Sequence, residues 1–429
     1  MSKAYSKQRV PQTAIGRWLR LIIRCLSLIP ALPMLAALSG CGDEGKTNNP
    51  TPTPVDPTTA AMGKDIFRFD TFGDEEKWTG TLKLNEVIQS AVDPMTALSV
   101  GLKVDAEALP AEVVAGIQSG AISLTSPATT LALLKLNAVV GLVGKVENVN
   151  GADQLTQVGV TCALCHSTVD NSFAMGIGKR LDGWPNKELN PGAIIALSPA
   201  VTAEQKAVFN SWGPGKYDPR FNQDSINGPV VIPPAYGLNG MGRITMTGDG
   251  DRIEYWNRYV SVTQMGGQGS FMDSRIGVSV TNGTQDLVSS KLPALQAYQL
   301  TLAAPAPPVN SFDAEAAARG QQVFTGAGQC ASCHAGSLMS DGNNGNNALH
   351  AATEVVSEPE PNAAPSYASR SATKQYRTAP LKGLWQHAPY FHNGTASTLD
   401  AVVETYDQKK SLGLAADQKS DLVQFLMSL

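Results

Sequence analysis

The sequence predicts a mainly α-helical chain: two similar halves behind a helical N-terminal extension. Three observations carry this. The pattern C-x-x-C-H occurs twice, as Cys162-Ala163-Leu164-Cys165-His166 and Cys330-Ala331-Ser332-Cys333-His334. A Pro-rich stretch from Ala303 to Asn310 separates the copies and reads as a linker. The chain ends with Leu422, Phe425, Leu426 and Leu429 at the spacing of an amphipathic helix. Gly 40 and Pro 27 in 429 residues imply many turns between the helices.

Residues 1–40 read as a leader. Six basic residues (Lys3, Lys7, Arg9, Arg17, Arg20, Arg24) and no acid precede or enter an apolar run, Leu26 to Leu38, too short to span a bilayer. The run ends Leu38-Ser39-Gly40-Cys41. Small residues before a Cys resemble the bacterial lipobox, in which that Cys accepts the lipid. The expected location is the periplasm, anchored by lipid, and Gly42 in place of Asp points to the outer membrane. Residues 41–60, polar and rich in Pro and Thr, read as a flexible tether. Cleavage before Cys41 leaves 33 − 6 = 27 basic residues against 37 acidic ones, a sum of −10. That balance gives no electrostatic case for nucleic acid.

Residues 61–155 form the expected extension, with a helical, largely apolar segment at Thr129 to Val143. Residues 156–302 form the first half and 311–429 the second. The second opens on an Ala-rich stretch that Ser311 or Asp313 can cap.

Cys25 leaves with the leader and Cys41 takes the lipid, so four of six cysteines remain. In C-x-x-C, positions i and i+3 share one side of a helical turn. Both thiols can then add to the two vinyl groups of one porphyrin, and the following His ligates its iron. Zinc would not need a His after each pair, and a redox dithiol would occur once in an α/β context. The expected cofactors are two covalent haems c, held by Cys162, Cys165, Cys330 and Cys333, with His166 and His334 on the irons. The only other histidines are His350, His387 and His392. The first haem therefore has no second His within 167–333, and its sixth position is open or takes a Met such as Met175, Met246, Met265 or Met272.

The segment Tyr376-Arg-Thr-Ala-Pro-Leu-Lys-Gly-Leu-Trp385-Gln-His-Ala-Pro-Tyr-Phe-His392-Asn-Gly394 resembles the C-terminal haem domain of bacterial dihaem cytochrome c peroxidases and MauG. The likeness is strong over about 311–429, weaker over 156–300 and absent from 61–155. It implies two cytochrome c-like domains. Gly320 would let the terminal helices cross, and Phe324 would pack near the haem. It makes Tyr406, fourteen residues beyond His392, the distal ligand of the second haem, with Met339 as the alternative. It places His392 near that haem without ligating it. His350 and His387 are expected at the surface or against propionates.

In the first half, Glu254-Tyr255-Trp256-Asn257-Arg258 resembles the family's F-W-D-G-R, whose Trp relays electrons between haems. Ile232-Pro-Pro-Ala-Tyr-Gly-Leu238 parallels Ala379-Pro-Leu-Lys-Gly-Leu384, the trace of a divergent repeat. Gln264, Gln268 and Asp273 stand where the family keeps a Gln and a Glu, at different offsets. The resemblance further implies an interdomain calcium, a small redox protein or quinol-linked electron donor, and hydrogen peroxide as oxidant. Two readings stay open: a haem oxidoreductase of this type, or a non-enzymatic electron-transfer cytochrome.

Overall fold

The structure is a computed structural model, and it describes residues 52–250, 252–342, 348–354 and 366–429. The leader, Cys41 and most of the tether lie outside the described residues. The tether ends earlier than expected. Asp56 accepts from Thr59 N at 2.7 Å, with Pro57 at the first helical position, and together they start helix α1, Pro57–Phe69.

Helices α2 (Leu84–Ala91) and α3 (Pro127–Lys135) follow. The helix expected to reach Val143 stops at Lys135. Asn137 and Gly141 take positive φ, 53° and 82°, and the β-branched Val143 falls in strand β1 (Leu142–Val149). Strand β2 (Ala152–Val160) returns antiparallel, Leu142 opposite Val160. Helix α4 (Ile253–Tyr259) runs into a wider helical turn, Val260–Met265. Strands β3 (Gly269–Asp273) and β4 (Val278–Asn282) form a hairpin before helix α5 (Leu292–Thr301). The second half carries α6 (Ala314–Thr325), capped by Asp313, then α7 (Leu399–Lys410) and α8 (Ala416–Met427). Every sheet among the described residues is a two-stranded ladder. Helix dominates, as expected for a cytochrome c-like fold.

Two helix pairs share one packing device. A Cβ on Gly320 of α6 would overlap the carbonyl of Asp421 in α8, so only Gly admits that crossing. Four residues on, Phe324 meets Phe425 edge to face at 5.1 Å. The same device joins α1 to α5. Gly63 lies against the Ala294 carbonyl, and Phe67, four residues on, meets Tyr298 at 5.5 Å. The partner aromatic again lies four residues beyond the contacted carbonyl.

Residues 61–155 share one core with 156–302, running from Phe67 through Leu134 and Val160 to Leu295. A second core gathers Phe324, Leu384, Leu399, Val403 and Phe425.

Residues 366–378 follow the second motif in sequence yet lie against the first half. The buried Arg370 makes a bidentate pair with Asp218, 2.9 Å for each bond, and meets Asp224 at 2.8 Å. Its carbonyl accepts from Arg220 Nε at 3.0 Å, and Ala372 N donates to Asp249 at 2.9 Å. We refer to this segment as the strap.

Candidate haem sites

Strand β2 delivers the chain to the first motif. Thr161 N donates to Gly141 O at 3.0 Å, and Thr161 Oγ1 to Arg68 O at 3.1 Å. Gly141 must be Gly: its φ is positive, and a Cβ would strike the backbone of Leu164 inside the motif. Cys162 caps the short helix Ala163–His166. Gly183 N and Asn186 N donate to the carbonyls of His166 and Cys165 at 2.8 and 2.9 Å.

His166 Nδ1 is 3.0 Å from Pro233 O, which fixes the ring as an Nδ1–H donor and leaves the Nε2 lone pair for a metal. Burial pushes His166 down to about 4, so the imidazole is neutral at pH 7. Burial pushes both thiols up, to about 12. They are uncharged thiols that form no disulfide.

Cys162, Cys165 and His166 all line one cavity of about 210 Å³. Its walls are mostly apolar, from α2 and α3, from strand residues Val158 and Val160, and from the Ile232–Ala235 loop. No Asp or Glu lines it among the described residues, and His166 is its one histidine.

The second motif rests beside the second core. Cys330–Ser332 form a single tight turn, entered through Gln329 at φ 53°. His334 Nδ1 is 3.2 Å from Met339 O, and the Ala379 backbone also bonds this ring. In the repeat noted above Ala379 stands where Pro233 does, so each His meets the carbonyl preceding the matching proline. The Met339 backbone thus sits on the Nδ1 side of the ring. Tyr406, on α7, is half-buried beside the thiols of Cys330 and Cys333. Burial and those thiols push its hydroxyl up to about 12.

Of the other expected residues, Trp256 and Gln264 line the first cavity, as do Met246 and Met265. Gln264 Nε2 donates to Pro219 O at 2.8 Å. Gln268 lies elsewhere, packed on Gly73 and Gly283. Asp273 is taken up by Tyr255 and Arg275, both bonds 2.6 Å. Met175 and Met272 are exposed. His350 bridges Asp341 and Glu354, and the His392 ring stacks on Tyr376. His387 is half-buried. Its Nε2 is 2.7 Å from Tyr236 Oη, and burial pushes it down to about 4.

Sequence reasoning missed what joins the halves. Trp184, just after the first motif, meets Trp385 edge to face at 5.8 Å. Trp256 instead packs on Tyr259 at 5.0 Å within the first half. Tyr367 and Arg377 of the strap also line the first cavity. The donor set fits covalent haem. Two paired, unoxidised thiols and a neutral imidazole with its Nε2 available open together onto an apolar cavity, and a second such set lies beside Tyr406.

Residues 375–412 match the family model described as RoxA-like, cytochrome c-like. Cytochrome-c peroxidase IdrP2 of Denitromonas iodatirespirans is 31% identical over 140 residues, covering 26% of this chain. The chain spans 38% of that relative's length. Cytochrome-c peroxidase IdrP2 of Pseudomonas sp. (strain SCT) is 24% identical over 302 residues, 63% of this chain and 76% of the relative. Among solved structures, a MauG-like protein associated with microbial copper homeostasis aligns at 18% identity and a TM-score of 0.33, over 48% of this chain and 74% of that one. The family model and the peroxidase relatives make the chain similar to the dihaem cytochrome c peroxidase/MauG superfamily.

Proposed function

We propose that the chain is a dihaem c-type oxidoreductase whose first haem reacts with hydrogen peroxide and whose second transfers electrons. The observation that carries this is the asymmetry of the two sites. The first motif opens onto an apolar cavity without a second His, and the second lies beside the half-buried Tyr406. Haem iron, when bound, supplies the redox centre at which peroxide takes up two electrons and two protons and leaves as two waters.

The chain's own part can be stated by residue. Cys162 and Cys165 hold the macrocycle, and His166, oriented by Pro233 O, presents Nε2. The walls from 78–142 exclude water. Beyond the motif, the polar lining includes Trp256, Asn257, Gln264, Tyr217, Tyr367, Lys103 and Arg377, with no carboxylate. The indole and amide N–H groups exchange no proton at neutral pH, and burial pushes the two tyrosine hydroxyls well above their ordinary value. General acid–base help is worth about 10²–10⁴ in rate, so peroxide turnover should be slow by that order against a site with a carboxylate. The Trp184–Trp385 contact is one aromatic crossing available for electrons between the halves, and Tyr236–His387 at 5.9 Å is another.

Rapid mixing with excess peroxide tests this. The ferric or half-reduced protein should show a spectral change confined to the first haem. Unchanged spectra in both redox states would sink the proposal. The rival, a pure electron carrier, draws on Met246 and Met265 in the same cavity. A low-spin signal from both ferric haems, with a Met thioether signature, would favour it.

Tyr406 is proposed as distal ligand of the second haem. A tyrosinate favours ferric iron, so Tyr406→Phe should raise one midpoint potential and alter one haem spectrum. If potential and spectrum both stay as they were, Tyr406 is packing only.

A further inference from the structure

Two cations line the first cavity, and they differ. Lys103 is tied to Glu188. Arg377 has no carboxylate partner among the described residues. Its Nε donates to Ile244 O at 3.0 Å and its Nη1 to Thr378 O at 3.1 Å. Two carbonyls satisfy N–H groups but leave the charge uncancelled. Burial pushes this guanidinium down to about 10, far below the usual arginine range, and it is still charged at pH 7. A half-buried cation set against an apolar cavity is unfavourable unless an anion enters with the ligand.

The position is constructed. Arg370 anchors the strap in the first half through Asp218 and Asp224. At its far end Arg377 N donates to Met246 O at 2.9 Å, placing Arg377 beside a second cavity residue. Tyr367 of the same strap lines the cavity too. A segment encoded with the second motif thus carries a fixed positive charge into the pocket of the first.

We propose that Arg377 is the counter-ion of a carboxylate group belonging to the haem bound at Cys162 and Cys165, and so a cross-half determinant of that haem's potential. Haem carries two propionates, and attachment to these two thiols brings them into the cavity that Arg377 lines. A guanidinium fork suits a carboxylate better than a point charge does. The inference rests on the haem reading above. Arg377 acts as a positioning residue and touches no reacting atom.

The test is redox potentiometry on full-length holoprotein, comparing the parent with Arg377→Gln and Arg377→Lys. The Cys162→Ala, Cys165→Ala protein, carrying only the second haem, assigns the two midpoints. Loss of the cation should lower the reduction equilibrium constant of the first haem about tenfold, ~59 mV for one electron. The second haem should not move, and Lys should restore most of the shift. If Arg377→Gln does not accumulate, the Lys protein decides. It keeps the charge without the fork, so a small shift of the first haem alone is expected, and none counts against the proposal.

Equal midpoints in parent and Gln proteins, or equal shifts of both haems, would overturn it. A parent midpoint that follows added acetate or chloride would also overturn it, because the anion would then be dissolved and not part of the haem. If the parent holds no covalent haem at the first motif, the haem reading itself fails. Retained haem with an unmoved potential fails this inference alone.

Discussion

The denatured chain should retain two haems, and replacing Cys162 and Cys165 together with Ala should leave one. Thioether bonds survive unfolding, whereas haem held only through iron is lost. The geometry makes the effect all or none at each site. The first motif has no other cysteine among the residues lining its cavity, and the second pair belongs to a separate core. The measurement is a pyridine haemochrome count per chain after acid–acetone extraction. Colour stripped from the intact protein would refute covalent attachment. Two haems remaining in the double variant would refute the assignment of Cys162 and Cys165.

The second large effect is on stability. Arg370→Ala should destabilise the fold by about 3–5 kcal/mol, the range for removing one partner of a buried ion pair. Asp218 is fully buried, and the variant removes its guanidinium partner while leaving only backbone N–H donors from Arg220, Asn222 and Gly228. The Asp224 carboxyl gives a sign check. Its burial raises the pKa, but Arg370 outweighs that and holds it below the usual carboxylate range. Its contribution is therefore present above the unfolded value of about 3.9 and lost as pH falls through the lower folded value. The gap between parent and variant in denaturant melts should be wide at pH 7 and narrow below about pH 4. A gap under about 1 kcal/mol at pH 7 would mean that the strap is held mainly by packing.

Much of the site was legible because its chemistry is local. C-x-x-C-H carries its own geometry, and the run from Tyr376 to Tyr406 is continuous. The α6–α8 pair announced itself through Gly320, Phe324 and the apolar spacing of the last helix. Gly63 and Phe67 obey the same rule but went unread, because about ninety residues separate them from their motif. The reading of 61–155 as an extension followed from that. Trp256 and Gln264 line the cavity, whereas Gln268 and Asp273 do not, because the turn at Val260–Met265 and Gly266 carries the chain away from it. Trp184, Trp385 and Arg377 act across the halves, and no local pattern encodes a contact between segments so far apart.

The matched helix pairs bear on how the two halves could diverge in length. The chain between Phe69 and Leu292 spans 292 − 69 = 223 positions, and that between Thr325 and Ala416 spans 416 − 325 = 91. Loop-closure entropy grows only as the logarithm of length, so closing the longer one costs about 0.8 kcal/mol more. A single buried aromatic contact such as Phe67 on Tyr298 is of the same order, about 0.5–1.5 kcal/mol beyond its buried area. An insertion at this point is therefore thermodynamically cheap, provided that the Gly63 crossing survives. The first half could accept the whole of 70–160 as new wall while its terminal helices kept their register.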